Sequence, residues 1–271
     1  MGARMIPNIL SVAGSDPSGG AGIQADIKAI GANGGYGMAV LTALTAQNTR
    51  GVTGIELISP AFVTAQLQAI FADVRVDAVK IGMLGTAAVT EAVAAELAGQ
   101  AAPIVLDPVM VAKGGDRLLA AEAVAALRSR LMPLARIVTP NLPEAADLLG
   151  EAEVSDRAGM ERQARALLAL GPAAVLLKGG HLAGADCPDL YLDADRAEWL
   201  VSPRTDTRNT HGTGCTLSSS LATQLALLGD PLAACRAAKT YVSRAIAGAE
   251  ALSVGSGHGP TDHFFLLRSP S

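Results

Sequence analysis

Residues 175–180 read VLLKGG, a short run of apolar residues followed by a lysine and two glycines. Residues 104–107 (IVLD) repeat the pattern, again with a charged residue directly after the apolar run. Strands that are apolar on both faces are typical of a parallel sheet with helices packed on each side. Because most of these runs precede a helical stretch, we predict one three-layer α/β/α domain over residues 1–271, with a mostly parallel central sheet.

The same periodicity predicts the individual elements. We predict strands at residues 8–13, 38–44, 78–81, 104–107, 137–139, 175–178, 190–193 and 198–201. We predict helices at residues 21–33, 60–71, 86–98, 120–131, 143–149, 156–170, 214–228 and 231–251. Ser155 is the predicted N-cap of the sixth helix, and the last two strands are predicted to pair as a hairpin.

Composition and charge exclude several classes of function. The chain has 271 residues, of which 50% are hydrophobic, and a formal net charge of −4. It contains no block of five like charges, so we expect no nucleic-acid-binding arm and no polybasic membrane patch. No run of 18 apolar residues occurs, so we expect no membrane span. An odd number of widely spaced cysteines is typical of reduced thiols in a cytoplasmic protein.

The candidate site follows from the sheet, because ligands of such sheets bind beyond the carboxyl ends of the strands. Residues 14–22 (GSDPSGGAG) follow the first strand, and their glycines let the backbone approach a ligand at a helix N-terminus. Gln47 follows an apolar segment and precedes a loop. Its amide carries a donor and an acceptor, which suits a ring nitrogen beside an exocyclic amine. A tight turn and a loop-capping amide are the structural alternatives.

Three charged residues also follow predicted strands. Asp107 and Glu144 lie after neighbouring strands and are candidates to hold Mg²⁺, directly or through water. Lys178 precedes two glycines and is a candidate to contact a phosphate. The structural alternatives are a helix-dipole partner for Glu144 and a solvated surface lysine for Lys178.

Residues 209–216 (NTHGTGCT) open a long apolar helix. Backbone amides of residues 213–216 at this helix N-terminus are predicted to converge on an anion, as phosphoryl transfer requires. Cys215 lies in the first turn, where we expect the pKa of a thiol to fall. His211 is four residues before Cys215, which leaves a Cys–His nucleophilic hydrolase as an alternative.

The motifs together resemble the hydroxymethylpyrimidine/phosphomethylpyrimidine kinases of thiamine biosynthesis. The resemblance runs from about residue 8 to 265. It is carried, in order, by residues 13–26 (AGSDPSGGAGIQAD), 46–49 (AQNT), 80–84 (KIGML), 107–110 (DPVM), 139–145 (TPNLPEA), 178–181 (KGGH), 209–216 (NTHGTGCT) and 257–264 (GHGPTDHF). Each motif is weak alone, but the ordered set is specific.

The resemblance implies a ribokinase-like fold, a homodimer, and ATP- and Mg²⁺-dependent phosphorylation of 4-amino-5-hydroxymethyl-2-methylpyrimidine and then of its monophosphate. It implies roles for individual residues of this sequence. Gln47 would bind the aminopyrimidine edge, in a pocket lined by Gly14, Asp26, Met83 and Val109. Gly212, Thr213, Gly214 and Cys215 would form the anion hole, with Cys215 as the catalytic base. Lys178 and Thr210 would contact ATP, and Asp107 and Glu144 would organise Mg²⁺.

Two other functions stay open at this point. Some relatives with the same GTGC segment are pyridoxal kinases, although they lack a glutamine at the position of Gln47. A binding module that keeps the pocket without catalysis is the third possibility. Residues 111–116 are predicted to form a flap over the site, because two glycines flank a gap between strand and helix.

Overall fold

The sheet that organises the chain has eight strands in the computed structural model, which describes residues 5–110 and 121–268. Its strands are β1 (Asn8–Ala13), β2 (Tyr36–Leu41), β5 (Ala78–Ile81), β6 (Ile104–Leu106), β7 (Ile137–Val138), β8 (Ala174–Leu177), β9 (Asp186–Asp193) and β10 (Ala197–Pro203). A separate antiparallel hairpin consists of β3 (Ala43–Asn48) and β4 (Gly51–Leu57).

The helices connect these strands. They are α1 (Gly22–Ala32), α2 (Pro60–Phe71), α3 (Ala87–Leu97), α4 (Ala121–Ala126), α5 (Leu142–Leu149), α6 (Arg157–Leu168), α7 (Thr213–Leu228) and α8 (Pro231–Ala247). A π-helical turn (Leu127–Leu131) extends α4, and a 3₁₀ turn (Gly248–Ala251) extends α8. No helix of the described residues is long and apolar enough to cross a membrane.

The large sheet has the order β10-β9-β8-β7-β6-β5-β1-β2. The six strands from β8 to β2 pair in parallel, whereas the β8–β9 and β9–β10 pairs are antiparallel, so that only β9 runs in the opposite direction. The carboxyl ends of the six parallel strands therefore lie at one edge. This arrangement, with helices on both faces, confirms the predicted α/β fold class.

Helices cover both faces of the sheet because the strand residues alternate between two apolar cores. Ile104 and Leu106 pack into the core beneath α2 to α6, whereas Val105 between them packs into the core beneath α1, α7 and α8. All three side chains are buried. Continuous apolar strands are thus explained by burial on both sides.

Two predicted elements are wrong in detail. The predicted strand 38–44 is two strands, because β2 ends at Leu41 and the chain turns into the hairpin, so that Gln47 lies in β3, just before the turn at residues 49–50. The cap of α6 is Asp156, whose side chain accepts a hydrogen bond from the Gly159 amide, and not Ser155. The predicted flap at residues 111–116 lies outside the described residues.

Candidate active site

The N-terminus of α7 meets the carboxyl edge of the sheet at Gly214. A Cβ on Gly214 would lie 3.3 Å from Lys178 Nζ and 3.5 Å from Asp107 Oδ2. These two side chains follow β8 and β6 in the chain. The structure therefore brings the predicted anion hole, the predicted phosphate-binding lysine and one predicted metal ligand to one place.

Asp107 is almost completely buried and bonded on both oxygens. Its Oδ1 accepts hydrogen bonds from Lys178 Nζ (3.1 Å) and Thr139 Oγ1 (3.2 Å), and its Oδ2 accepts one from Ser218 Oγ (3.2 Å). Burial raises the pKa of Asp107, but the charges of Lys178 and Lys80 outweigh it and hold the pKa below its usual value. Asp107 is therefore an anion fixed by three separate segments of the chain.

Lys178 lies between two carboxylates. Its Nζ is 3.1 Å from Asp107 Oδ1 and 3.7 Å from Glu144 Oε2. Burial alone lowers the pKa of Lys178, but both carboxylates raise it, and the net shift is upward. Lys178 therefore remains a cation at the mouth of the anion hole.

Glu144 lies in the first turn of a helix, as the structural alternative predicted, and it also lies next to Lys178. It forms a capping box with Asn141 at the start of α5, in which each side chain accepts from the other residue's amide at 2.8 Å. Burial raises the pKa of Glu144, the Asp107 charge raises it further, and Lys178 opposes them. Glu144 thus shares Lys178 with Asp107 while it caps the helix.

These two carboxylates are the residues that could hold a metal. The described residues contain no group of three or more His, Cys, Asp or Glu side chains with that geometry. Lys178 occupies oxygens of both Asp107 and Glu144. Because Mg²⁺ usually keeps several waters and needs only one or two carboxylates, the pair fits an ion held through water better than one held by both directly.

The glycine-rich loop of residues 14–22, called the first loop below, packs against the predicted anion hole at the start of α7. Gly212 is the N-cap of α7 with φ of 72°, and a Cβ there would overlap the carbonyl oxygen of Gly20. At the other end of this loop, a Cβ on Gly14 would lie 2.7 Å from Met83 Cε. The loop therefore connects the predicted anion hole to two residues of the predicted pyrimidine pocket.

Asp26 uses both of its oxygens within the protein, which leaves neither free for the place in the pyrimidine pocket that the resemblance implies. It is fully buried, and its oxygens accept hydrogen bonds from Lys80 Nζ (2.8 and 2.9 Å), Ser11 Oγ (2.6 Å) and Ser219 Oγ (2.7 Å). Lys80 is fully buried as well. The pair ties α1, β5, β1 and α7 together behind the site, and four hydrogen bonds from three side chains satisfy the Asp26 oxygens that burial would otherwise leave unpaired.

The predicted fall of the pKa of Cys215 is wrong. Burial raises the pKa of the Cys215 thiol to about 11, and the carboxylates of Asp26 and Asp107 add to this rise. Lys80 and a backbone hydrogen bond from Gly22 act in the opposite direction without reversing it. At neutral pH the free thiol is therefore protonated.

Gln47 lies within hydrogen-bonding distance of two polar side chains, those of Thr45 and His211. Its Nε2 is 3.5 Å from His211 Nε2, and its Oε1 is 3.1 Å from Thr45 Oγ1. His211 Nε2 is also 2.7 Å from Asp16 Oδ2. The bond to His211 holds the pKa of Asp16 below its usual value against the effect of burial.

The hydrolase alternative does not fit this arrangement. A Cys–His pair needs an imidazole on the thiol and a lowered thiol pKa. Here the His211 ring bonds to the carboxylate of Asp16, and the pKa of Cys215 is raised.

The remaining predicted residues lie close to these groups along the chain. The Thr210 carbonyl accepts from Thr213 Oγ1 (2.8 Å), which closes the turn before α7. Val109 is half-buried, and its amide donates to the Asp107 carbonyl (2.8 Å). No contact of Thr210 with a phosphate or of Val109 with Met83 follows from these bonds, so both roles stay predictions.

Sequence reasoning missed four polar residues of the site: Asp16, Thr45, Lys80 and Ser218. Lys80 follows the pattern that identified Lys178, because it is a charged residue in an apolar strand (residues 78–81, AVKI). A cation inside a strand apolar on both faces needs a buried anion, and this signal was present in the sequence. The partners of Asp16 and Ser218 are 195 and 111 residues away, so no local pattern marks them.

Comparison with known proteins agrees with the geometry. The phosphomethylpyrimidine kinase family matches residues 16–262. The hydroxymethylpyrimidine/phosphomethylpyrimidine kinase of Rhizobium meliloti is 51% identical over 94% of this chain and 96% of its own. The structure of a Bacillus subtilis pyridoxal kinase in an ADP complex has a TM-score of 0.90 and 37% identity, covering 98% of this chain and 100% of that one. The structure of the Clostridium difficile phosphomethylpyrimidine kinase has a TM-score of 0.78 and 40% identity, covering 89% and 100%. The resemblance inferred from the motifs is confirmed, and the chain belongs to the phosphomethylpyrimidine kinase family.

Proposed function

We propose that this chain uses ATP to phosphorylate 4-amino-5-hydroxymethyl-2-methylpyrimidine and then the resulting monophosphate, as a step of thiamine biosynthesis. One observation carries the proposal: the glycine-rich start of α7 lies against Lys178 and the buried Asp107 at the carboxyl edge of the sheet. A helix N-terminus beside a fixed cation suits a phosphoryl group, whose charge spreads over its oxygens during transfer.

The proposed step needs no covalent enzyme intermediate. The oxygen of the substrate hydroxymethyl group bonds to the γ-phosphorus of ATP, the bond from that phosphorus to the bridging oxygen breaks, and ADP leaves. Backbone amides of residues 212–215 would bind the equatorial oxygens of the transferring group. Lys178 and Thr210 would contact the ATP phosphates. The substrate hydroxyl proton is released in the same step and would pass to the sulfur of Cys215 in its thiolate form.

The raised pKa of Cys215 limits this proton transfer to the small fraction of molecules that carry a thiolate. Most analyses give phosphoryl transfer a loose transition state, in which the attacking oxygen has formed little of its new bond. The hydroxyl proton then becomes acidic late, so a base does not have to be ionised in every resting molecule. Only the thiolate fraction would accept the proton, and the buried cation Lys80 lowers the pKa of the thiol and so favours that fraction.

Asp107 and Glu144 would hold Mg²⁺ in this proposal, mostly through water. When bound, the ion would neutralise charge on the ATP phosphates. The two carboxylates meanwhile fix the position of Lys178, which lies within ion-pair distance of both.

The substrate pocket is proposed on the other side of the first loop. Met83 contacts the backbone at Gly14, and Met83 and Val109 would provide soft apolar walls for a flat ring. Gln47 would bind the ring nitrogen and the amine. Asp26 would fix the positions of Lys80 and α7 beneath the pocket, without contact to the substrate.

The test is steady-state kinetics with hydroxymethylpyrimidine and pyridoxal, with ADP release as the readout, on the parent and on Gln47→Ala. We expect turnover of the pyrimidine, and a loss of several-fold or more in kcat/KM in the variant, because an unpaired buried hydrogen-bonding group costs about 1–3 kcal/mol. Pyridoxal has no exocyclic amine, so its turnover should change little. A parent that phosphorylates pyridoxal but not the pyrimidine would refute the proposal in favour of the pyridoxal kinase alternative.

We also propose that the chain is a homodimer in which a second copy covers the hairpin β3–β4. The exposed large apolar residues Leu44, Ile55 and Leu57 lie on this hairpin, and Phe62 lies at the start of the next helix, α2. A two-stranded hairpin alone is marginally stable in water. Sedimentation should show a dimer for the parent and a monomer for Leu44→Glu/Phe62→Glu, whereas a monomeric parent would contradict the proposal.

We further propose a single kinase domain over residues 1–271 and a cytoplasmic location. One sheet with a core on each face, and a family match over residues 16–262, support one domain. The three cysteines, Cys187, Cys215 and Cys235, are free thiols in the structure, as is typical of a reducing compartment.

A further inference from the structure

The amide of Gln47 lies between two side chains whose other hydrogen bonds fix the direction in which each can donate. On one side Thr45 Oγ1 is 3.1 Å from Gln47 Oε1. On the other side His211 Nε2 is 3.5 Å from Gln47 Nε2. The number of protons at these two contacts decides whether the amide oxygen or the amide nitrogen of Gln47 faces Thr45, and which of them faces His211.

The Thr45 hydroxyl has one proton, which it donates to a backbone carbonyl oxygen. Thr45 Oγ1 lies 2.8 Å from the Ser15 carbonyl oxygen, which can only accept. The hydroxyl therefore donates to Ser15 and offers only lone pairs to Gln47. An amide oxygen at this place faces another acceptor, whereas an amide nitrogen would donate to it.

The same argument shows that His211 presents a donor to Gln47, where Thr45 presents an acceptor. Its Nε2 lies 2.7 Å from Asp16 Oδ2, and a carboxylate can only accept. Nε2 therefore carries a proton and donates. An amide nitrogen on this side faces another donor, whereas an amide oxygen would accept a share of the Nε2 proton.

Turning the Gln47 amide by 180° about its last torsion satisfies both contacts at once. The swap costs no space, since the amide nitrogen and oxygen are nearly the same size. After it, the nitrogen donates to Thr45, the oxygen accepts from His211, and one amide hydrogen and one oxygen lone pair remain unused. Those two groups are what a ligand would meet.

We propose that His211 and Thr45 are positioning residues that fix the orientation of the Gln47 amide, and thereby the direction in which an aminopyrimidine ring lies in the pocket. This inference rests on the proposed function. A ring nitrogen needs the amide hydrogen, and the neighbouring amine needs the amide oxygen. Since the two amide orientations offer these in opposite order, only one of them holds the ring with its hydroxymethyl group towards the phosphoryl donor.

His211 lies next in the chain to the proposed anion hole. His211 is 7% exposed, and its ring packs against Gly20, where a Cβ would overlap it. The next residue, Gly212, begins the anion hole. The segment that orients the substrate amide is thus continuous with the segment that would bind the transferring phosphoryl group.

The first test reads the proton on His211 directly and needs no substrate. In a ¹⁵N-labelled parent, the imidazole resonances assigned by their loss in His211→Gln should show a proton on Nε2. A bare Nε2 would overturn the proposal, because His211 would then accept from the amide nitrogen and leave the amide in the opposite orientation. This readout stands even if the pyrimidine proves not to be the substrate.

The second test is a double-mutant cycle on kcat/KM for hydroxymethylpyrimidine. We expect His211→Ala to lower kcat/KM about tenfold through a higher KM, but less than about twofold in the Gln47→Ala background, since residues that act through one another are not additive. His211→Gln should recover much of the loss, because its amide nitrogen can donate from nearly the same place. The control His258→Ala, at an exposed histidine, should leave both constants unchanged.

A Thr45→Val and Gln47→Ala cycle repeats the test from the other side of the amide. It also decides the matter if His211→Ala does not fold, which a thermal unfolding scan would show. Coupling in either cycle supports the proposal. Losses that simply multiply in the double variants would show that His211 and Thr45 act on the fold alone, and the proposal would be wrong. A parent without pyrimidine kinase activity would instead refute the proposed function.

Discussion

At the scale of single residues, the charge on residue 215 sets the tolerance for a phosphorylated substrate. The pKa of Cys215 is raised, so the side chain is neutral beside the buried carboxylates of Asp26 and Asp107. Cys215→Asp would place a further negative charge there. Like charges about 4 Å apart repel by about 4 kcal/mol at an effective dielectric constant of 20. We expect kcat/KM for the monophosphate to fall at least about tenfold more than kcat/KM for the hydroxymethyl substrate.

The uncharged variant Cys215→Asn controls for size and for loss of the thiol. It should lower both steps by similar factors, since it brings no charge. Initial rates with each substrate measure the ratio. If Cys215→Asp phosphorylates the monophosphate as fast as the parent does, or if the asparagine variant shows the same ratio, the electrostatic explanation is wrong.

Lys178 is the second residue whose charge we expect to matter, for stability and for the reaction. Lys178→Met leaves Asp107 and Glu144 buried without their cation. Breaking a buried pair in this way typically costs about 3–5 kcal/mol. The loss of a charged donor at the transferring group should also lower kcat by about 10²–10³-fold. Urea unfolding and ADP release measure the two effects separately.

Lys239→Met is the matched control for Lys178→Met. Lys239 Nζ lies 2.7 Å from Asp189 Oδ2, and both side chains are mostly buried. Asp189 Oδ1 also accepts from the Gly179 amide (3.0 Å) next to Lys178, but Lys239 itself is not one of the proposed site residues. This variant should lose stability while the folded enzyme keeps its kcat. An equal loss of kcat in both variants would mean that Lys178 contributes only to the fold.

At the scale of elements, α7 offers a comparison within one helix. Gly212 before its start and Gly229 after its end both have left-handed backbone, with φ of 72° and 73°. An alanine at Gly229 meets no heavy atom within 4 Å, whereas one at Gly212 would overlap the Gly20 carbonyl oxygen. Gly229→Ala should cost about 1–2 kcal/mol of backbone strain and leave kcat/KM intact.

Gly212→Ala should have the same strain and a second effect. The added Cβ must push the start of α7 away from the first glycine loop. A shift of about 1 Å in a catalytic group is enough to cost about 10²-fold in rate. Measured kcat/KM should therefore separate the two alanine variants, and equal activity would show that the contact with Gly20 does not position the anion hole.

The elements also show what the sequence can and cannot predict. Helix α2 was predicted with its observed bounds, residues 60–71, because Pro60 marks its start locally; the structure adds a side-chain cap from Ser59. The hairpin β3–β4 was missed, since its alternating residues 43–57 depend on packing over the first loop and carry no strong turn signal. Asp107, Lys178 and the start of α7 were predicted as one site because strand ends share an edge. The pKa of Cys215 was not predicted, because it is raised first by burial in the folded chain and then by Asp26 and Asp107, which come from distant segments.

At the scale of the whole molecule, the buried His263 should make stability depend on acid. His263 is 4% exposed, and its Nε2 lies 3.0 Å from Thr216 Oγ1 in α7. The Thr216 hydroxyl donates its one proton to the Gly212 carbonyl (2.8 Å), so the neutral ring donates to Thr216 from Nε2. Burial lowers the pKa of His263 to about 4; the Lys28 charge adds to this shift and Asp262 opposes it. Folding therefore keeps neutral a side chain that the unfolded chain protonates near pH 6.5.

The sign of the pH dependence follows from the two pKa values. Between pH 6.5 and about 4 the unfolded chain binds the proton and the folded one does not, so stability is fully present above pH 6.5 and falls as the pH is lowered through this window. With about 1.4 kcal/mol for each pKa unit, the loss is about 3 kcal/mol. His263→Gln keeps an N–H donor for Thr216 but cannot be protonated. Urea unfolding at several pH values should therefore give a flatter profile for His263→Gln than for the parent, while His258→Gln, at an exposed position, should follow the parent. Parallel profiles for the parent and His263→Gln would mean that His263 does not couple protonation to unfolding.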